Sequence, residues 1–326
     1  KNLDSRNFIL CTDDCHSGTI IHDGHMNRVV RHAIECGCNP IEAIQMATLN
    51  TATHFCLERE IGSIAPGRRA DLILTSNLTE LPIELVLARG DIVAKNGKTL
   101  IDPILLEWPD EVKNTIKLKD RLNQKDFLIT ANTERTTAKV KIIGVVENQA
   151  PTKLITEVLQ IENGYICSDL SKDICHVALV ERHRGTGKIV NGFVSGFGYT
   201  AKCAIASTVA HDSHHMIIVG TDHENMALAG NHLATIGGGV TVFKDGKELA
   251  TVPLQIAGLM SDSSPRLVAD QANNMVSAMK ECGCNINNGY MQHSLLGLVV
   301  IPELRISDLG LVDVTKFEIT ELVEEL

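Results

Sequence analysis

The sequence predicts a chain of mixed class, in which an α/β segment is followed by an α+β domain, and three patterns carry that prediction. Residues 8–11 form an apolar run that predicts a short buried strand, and two helical patterns follow it. From Ile61 onward, turn residues separate short apolar runs, which indicates a small β module. Beyond Asp126, strand-like and helical segments alternate, as they do in α+β folds.

Two helices are expected in the first segment. Residues 25–36 place apolar side chains on one helical face, and a second helix starts at Asn39, a good N-cap, with Pro40 in its first turn. Residues 36–38 and 282–284 read Cys-Gly-Cys, and each triplet ends a helical pattern. We therefore interpret Gly37 and Gly283 as helix C-caps, because zinc sites prefer a wider cysteine spacing.

The remaining elements follow from short apolar runs. In the β module, strands are expected at residues 70–74, 83–88 and 91–94, and Asn96 with Gly97 signals a hairpin. Residues 104–125 are polar and are interpreted as a connector. In the larger domain, strands are expected at residues 139–146, 154–161, 176–180, 203–209, 216–219 and 240–243, and helices at 225–235 and 264–281.

Composition excludes several classes of partner. The net charge of −10 gives no basic field for nucleic acid, and an anionic membrane surface would repel the chain. No apolar run approaches the roughly 18 residues that span a bilayer. Ten cysteines without a secretory signal predict reduced thiols and a cytoplasmic location. Because the first residue is Lys, we expect a processed, trimmed or fragmentary chain that begins within an active site.

Two acidic residues follow the first apolar run. Asp13 and Asp14 would point to opposite sides of a strand end, so one could bind a metal ion and move a proton while the other holds a substrate. Adjacent aspartates also serve as ordinary turn formers or helix caps. Spacing alone leaves both interpretations open.

A second candidate site lies between two predicted strands, where residues 211–215 read His-Asp-Ser-His-His. Such a loop can bind a metal, relay protons or hold an anionic group. It can also be a structural network in which Asp212 and Ser213 satisfy a histidine. Residues 181–183, Glu-Arg-His, either line the same cleft or form a solvated strand end.

Taken together, these strings resemble known enzymes. The first half is similar to the amidohydrolase superfamily, and the second half is similar to the C-terminal domain of bacterial adenine deaminases. The strings of the first half are residues 12–14, His16, residues 24–25, 47–52 and 62–72. Those of the second half are residues 181–183, 196–198, 204–214, 219–220 and 256–261.

The resemblance implies a domain order. Residues 1–60 would be the last strand and helices of a metal-dependent (β/α)₈ barrel, and residues 61–103 would return to a β-sandwich. Residues 104–125 would connect these to the adenine deaminase C-terminal α+β domain at 126–326. The missing barrel half would be a partner in the same chain or a separate one, and the enzyme would be a homo-oligomer.

The resemblance also implies an activity, the hydrolysis of adenine to hypoxanthine and ammonia in purine salvage. Asp13 would be a metal ligand and proton carrier, and Asp14, His211 and His214 would contact the purine. The metal would be manganese, iron or zinc, as a pair of ions in the full enzyme; geometry and availability choose among such metals.

One departure limits what this chain is expected to do. The barrel enzymes take metal ligands from a His-x-His on their first strand, and no His-x-His occurs in these 326 residues. We therefore predict that this chain alone does not deaminate adenine. The alternatives are another amidohydrolase that acts on a purine, pyrimidine or cyclic amide, and a non-enzymatic binding or assembly fragment.

Overall fold

The structure is a computed structural model that describes residues 4–102 and 106–325. It divides into two compact units, an N-terminal unit (Lys1–Glu107) and a C-terminal unit (Trp108–Leu326), each of which has its own core. Over the ranges that the structure describes, none of the helices has the length and apolarity needed to cross a membrane.

The helices of the N-terminal unit are α1 (Ser17–His22), α2 (Met26–Glu35), α3 (Pro40–Met46) and α4 (Leu49–His54). The predicted cap is confirmed, because the Asn39 side chain accepts the backbone N–H of Ile41 at 2.9 Å and Pro40 opens α3. The C-cap interpretation is also confirmed, since Gly37 follows α2 and Gly283 follows the helix Pro265–Glu281 of the C-terminal unit, both at positive φ.

The short buried strand expected at residues 8–11 is wrong for the described residues. No strand pairs with this segment, and Phe8 and Ile9 are 49% and 40% exposed. Helices hold it instead: Asn50 Nδ2 donates to Phe8 O at 2.9 Å, and Leu10 N–H donates to Met46 O at 3.2 Å. An apolar run becomes a strand only where neighbouring strands complete its ladder.

The β module is a four-stranded antiparallel sheet in the order β1 (Leu72–Leu74), β2 (Leu85–Ala88), β3 (Asp91–Lys95) and β4 (Lys98–Thr99). The predicted hairpin is confirmed, since Asn96 and Gly97 both have positive φ between β3 and β4. Gly62 leads into the module at a close approach, where a Cβ would lie 2.6 Å from the Ala52 methyl group.

The C-terminal unit is built around a ten-stranded mixed sheet. Its strands are β5 (Thr137–Gly144), β6 (Lys153–Glu162), β7 (Tyr165–Ile166), β8 (Ile174–Val180), β9 (Ile189–Ser195), β10 (Cys203–Ser207), β11 (Met216–Gly220), β12 (Gly239–Lys244), β13 (Lys247–Pro253) and β17 (Val323–Glu325). Along the main path of the sheet the strand order is β13-β12-β10-β11-β8-β9-β5-β6-β7. Strand β17 pairs with β5, and β5 and β9 are parallel.

Helices cover both faces of the sheet, which explains its nearly continuous apolar strands. In β8, Val177 packs in the core beneath α6 (Pro265–Glu281), whereas Ala178 packs beneath α5 (His223–Ile236). Alternate side chains of a strand point to opposite faces, so both sets must be apolar when both faces are covered. The remaining elements are α7 (Gly289–Ser294) and a small sheet of β14 (Leu304–Ser307), β15 (Gly310–Asp313) and β16 (Glu318–Thr320).

Part of the predicted connector is packed into the C-terminal unit. Leu122 is buried, and Ile116 and Leu118 lie against the core beneath α5. The amide of Asn231 on α5 clamps this segment: its Oδ1 accepts the N–H of Leu122 at 2.9 Å, and its Nδ2 donates to Leu122 O at 2.8 Å. These two hydrogen bonds fix the backbone of Leu122 against α5.

We predict that Asn231→Ala lowers the free energy of unfolding of the C-terminal unit by about 2 kcal/mol, because two buried backbone groups lose their partner. Chemical denaturation followed by circular dichroism measures this change. Asn274→Ala, at an exposed position on α6, is the matched control. Equal stability losses in the two variants would show that the clamp contributes nothing specific.

Candidate functional site

Asp13 and Asp14 lie in an exposed turn before α1 rather than at a strand end. Asp13 has φ +53°, a conformation that aspartate tolerates better than most residues, and its Oδ1 accepts the N–H of Asp14 at 2.8 Å. Close by, burial lowers the pKa of His16, and Asp14 opposes that shift. The expectation that a strand end places the two carboxylates on opposite sides is therefore wrong.

The residues present do not form a metal site by themselves. Among the described positions, 4–102 and 106–325, no three histidine, cysteine, aspartate or glutamate side chains gather closely enough to hold an ion. Transition-metal sites in proteins usually take three or four protein ligands, so a metal held by Asp13 would need further protein ligands beside it.

The second candidate site is the histidine loop, which we define as residues 210–215 between β10 and β11. His214 has φ +50°, and its N–H donates to Ala210 O at 2.7 Å. In return, the Ala210 N–H donates to His214 Nδ1 at 3.2 Å. An Nδ1 that accepts a hydrogen bond carries no proton, so the neutral imidazole of His214 presents its N–H at Nε2.

Four histidine rings gather around this loop. The rings of His211 and His214 lie 5.2 Å apart, and those of His183 and His215 lie 4.8 Å apart. His183 Nε2 donates to Ser213 O at 2.8 Å, which joins the end of β8 to the loop. The structure thus brings together His211 and His214, the two predicted substrate contacts, with His183 and His215, which come from the same two segments that the sequence analysis marked.

The electrostatics of the loop favour neutral imidazoles. Burial lowers the pKa of His214, and His211 and Arg182 lower it further, while Asp212 opposes them. Burial also lowers the pKa of His215, which lies 3.8 Å from Asp308 Oδ1. Both imidazoles are therefore uncharged at neutral pH. Each can donate a hydrogen bond from one ring nitrogen and accept one at the other.

Arg182 joins the histidine loop to two other segments. Its side chain is 1% exposed, and Nε donates to His214 O at 2.6 Å. Nη2 donates to Ala257 O at 3.2 Å and to Thr208 O at 3.5 Å, and Nη1 donates to Thr115 Oγ1 at 3.4 Å. Burial lowers the pKa of Arg182 to about 10, which leaves it charged at neutral pH.

The turn at residues 256–260 packs directly on this guanidinium. Thr208 Oγ1 donates to Gly258 O at 2.6 Å and accepts the Gly239 N–H at 2.8 Å, so strand end and turn are tied together. Gly258 has φ +72°, and a Cβ there would lie 2.9 Å from Arg182 Nη1. Only glycine allows the turn to approach the guanidinium this closely.

The interpretation of residues 181–183 as a solvated strand end is wrong for Glu181 and Arg182, which are 6% and 1% exposed, whereas His183 is exposed. The Glu181 carboxylate accepts the N–H groups of His183, Arg184 and Thr186 at 2.6–2.9 Å, and the Thr186 hydroxyl at 2.9 Å. Burial alone raises the pKa of Glu181, but these bonds outweigh it and lower the pKa to about 2.

Comparison with known proteins agrees with both halves of the sequence resemblance. The family described as "Adenine deaminase C-terminal domain" matches residues 149–318, and the "Amidohydrolase family" matches residues 2–102. An adenine deaminase of Ruegeria pomeroyi is 62% identical over 100% of this chain and 54% of its own length. One of Paracoccus denitrificans is 62% identical over 99% of this chain and 53% of its own length, and one of Moorella thermoacetica 42% identical over 98% and 54%. The chain spans about half the length of the curated relatives it matches.

We predict that the hydrogen bonds to Glu181 stabilise the C-terminal unit at neutral pH by about 2 kcal/mol, in line with the lowering of its pKa from 4.5 to about 2. A lowered carboxyl pKa stabilises the fold above pH 4.5 and loses that effect as the pH falls towards 2. The difference in unfolding free energy between the wild type and Glu181→Gln should therefore shrink over this window. A difference that is constant with pH, or an equal one for the exposed control Glu321→Gln, would contradict the prediction.

Proposed function

Because this chain belongs to the family that carries the adenine deaminase C-terminal domain, we propose that it forms part of an enzyme that hydrolyses adenine to hypoxanthine and ammonia. The observation that carries this proposal is the convergence of two segments inside the family match. The histidine loop and the turn at residues 256–260 both bind the same buried guanidinium, that of Arg182. The two segments are distant in sequence, and a binding site requires such segments to be held together. A loop that only faced solvent would not require a second segment beside it.

In this proposal His214 is a substrate contact. Its Nε2–H would donate to an unprotonated ring nitrogen of the purine. Such a nitrogen has a lone pair and no hydrogen, so it can only accept a hydrogen bond. The neutral state of the imidazole suits this role, since a neutral donor binds an uncharged base without burying an uncompensated charge. His211, whose ring lies beside that of His214, is proposed as the second contact of the loop.

Asp13 and Asp14 have a separate part in the proposal. The match of residues 2–102 to the amidohydrolase family supports Asp13 as a metal ligand and proton carrier and Asp14 as a contact to the purine edge. Manganese, iron or zinc, as two ions, would supply a Lewis acid for hydrolysis. The described residues do not complete such a centre, so its other ligands must come from elsewhere in the enzyme.

The same family match supports the proposed domain order: barrel end at residues 1–60, returning sandwich segment at 61–103, connector at 104–125 and C-terminal domain at 126–326. We propose a cytoplasmic homo-oligomer that acts in purine salvage. Ten free cysteines, four of them buried in the core, favour a reducing compartment.

A chimaera tests the activity directly. This chain replaces the matching 54% of the Ruegeria pomeroyi relative, and ammonia release from adenine is measured with and without a chelator. We expect turnover that the chelator abolishes, and no turnover from the 326-residue chain alone. Ammonia release from guanine or cytosine but not from adenine would contradict the proposed substrate, and metal-dependent turnover by the chain alone would contradict its predicted inactivity.

In the same chimaera, His214→Asn is expected to lower kcat/KM for adenine by about tenfold to a hundredfold, the cost of one lost hydrogen bond to a desolvated group. Asparagine accepts the positive φ at this position but is too short to replace the Nε2 donor. His232→Asn, on α5 of the same unit, is the control and should leave kcat/KM unchanged. Equal values for wild type and His214→Asn would rule out the substrate contact.

A further inference from the structure

We propose that Arg182 is a positioning residue for His214: its buried guanidinium fixes the histidine loop and holds His214 as a neutral Nε2–H donor. The effect of Arg182 on catalysis rests on the proposed contact between His214 and the purine. Its effect on the loop and on the His214 ring does not depend on that contact.

The backbone of the loop depends on the guanidinium. His214 occupies a left-handed conformation that costs a residue with a Cβ about 1 kcal/mol or more. The Arg182 Nε–H donates to the carbonyl of that same residue at 2.6 Å, which offsets the strain. Because the guanidinium also binds Ala257 O and Thr115 Oγ1, it cannot follow a movement of the loop without losing its contacts to those two segments.

The charge of Arg182 acts on the same imidazole. The groups that face His214 are His211 and Asp212 from the loop itself, and Arg182 and His183 from the end of β8. The positive neighbours disfavour imidazolium, and the carboxylate opposes them. The Ala210 N–H that donates to Nδ1 acts in the same direction as Arg182, since protonation at Nδ1 would place two donors face to face.

A second buried arginine gives a matched control. Arg305 is also 1% exposed, and burial lowers its pKa to about 10, as it does for Arg182. Its fork donates to Ile301 O and Leu295 O at 2.8 Å and to Ala150 O at 2.5 Å. Arg305 is absent from the groups that affect the pKa of His214, and its hydrogen bonds go to carbonyls outside residues 210–215. Its replacement therefore removes an equally buried charge without removing a hydrogen bond to the histidine loop.

The test is a titration of the histidine C2–H resonances by NMR in the 326-residue chain, with His214 assigned from His214→Asn. Removal of the positive neighbour makes imidazolium easier to form, so Arg182→Gln should raise the midpoint of His214, while burial and His211 continue to lower it. Arg305→Gln should leave it unchanged. An unmoved midpoint in Arg182→Gln, or an equal rise in both variants, would overturn the proposal.

The Arg182→Lys variant distinguishes the hydrogen-bond geometry of the guanidinium from the effect of its positive charge. It also tests the proposal if Arg182→Gln fails to fold. Lysine keeps the positive charge but cannot bind the three segments with one planar fork. We expect the His214 midpoint to stay near that of the wild type while hydrogen exchange of the His214 amide, which donates to Ala210 O, accelerates by about tenfold or more. Unchanged exchange would overturn the positioning role.

The chimaera then separates this inference from the proposed function. If neutral His214 contacts the purine, Arg182→Gln moves the acidic limb of the kcat/KM profile to higher pH, and Arg305→Gln does not. A limb that stays in place despite a raised NMR midpoint would overturn the substrate contact and leave the hold of Arg182 on His214 intact. An unmoved NMR midpoint would overturn the role of Arg182 whatever the activity.

Discussion

The buried guanidinium of Arg182 is the interaction on which the loop end of the C-terminal unit depends. Arg182 is 1% exposed, and burying its charge costs free energy. Carbonyl and hydroxyl oxygens from separate segments surround the guanidinium and offset this cost. A planar fork with five N–H donors can serve several acceptors from one position, which an ammonium group cannot do with the same geometry. The histidine loop and the turn at residues 256–260 are therefore placed by one side chain.

This arrangement explains why the loop can be both exposed at its tip and well defined at its base. Asp212 and Ser213 face solvent, whereas His215 and the base of the loop are buried against β8. Below the loop, β11 pairs with both β8 and β10, and helices α5 and α6 belong to the apolar clusters on opposite faces of the sheet. A rigid sheet that carries a loop anchored by a buried ion is a common way to position binding groups.

Sequence reasoning predicted the elements whose signals are local and missed those that depend on distant partners. The buried strand β8 and the cap at Asn39 follow from apolar runs and short-range chemistry. The role of Arg182 could not be predicted, because its acceptors are mostly backbone carbonyls, which have no side-chain signature. Residues 8–11 misled for the opposite reason: their apolar pattern is that of a strand, but a strand also needs a neighbour. The one sequence signal for Arg182 is a pair of charged residues, Glu181 and Arg182, placed directly after the apolar run at residues 177–180.

The most direct measurement of this account is the tautomer of His214, observed by long-range ¹H–¹⁵N correlation in the 326-residue chain at neutral pH. The hydrogen bond from the Ala210 N–H and the nearby guanidinium together predict a neutral ring with its proton on Nε2 and none on Nδ1. A ring protonated at Nδ1, or at both nitrogens, would contradict the account, because neither form can accept from Ala210.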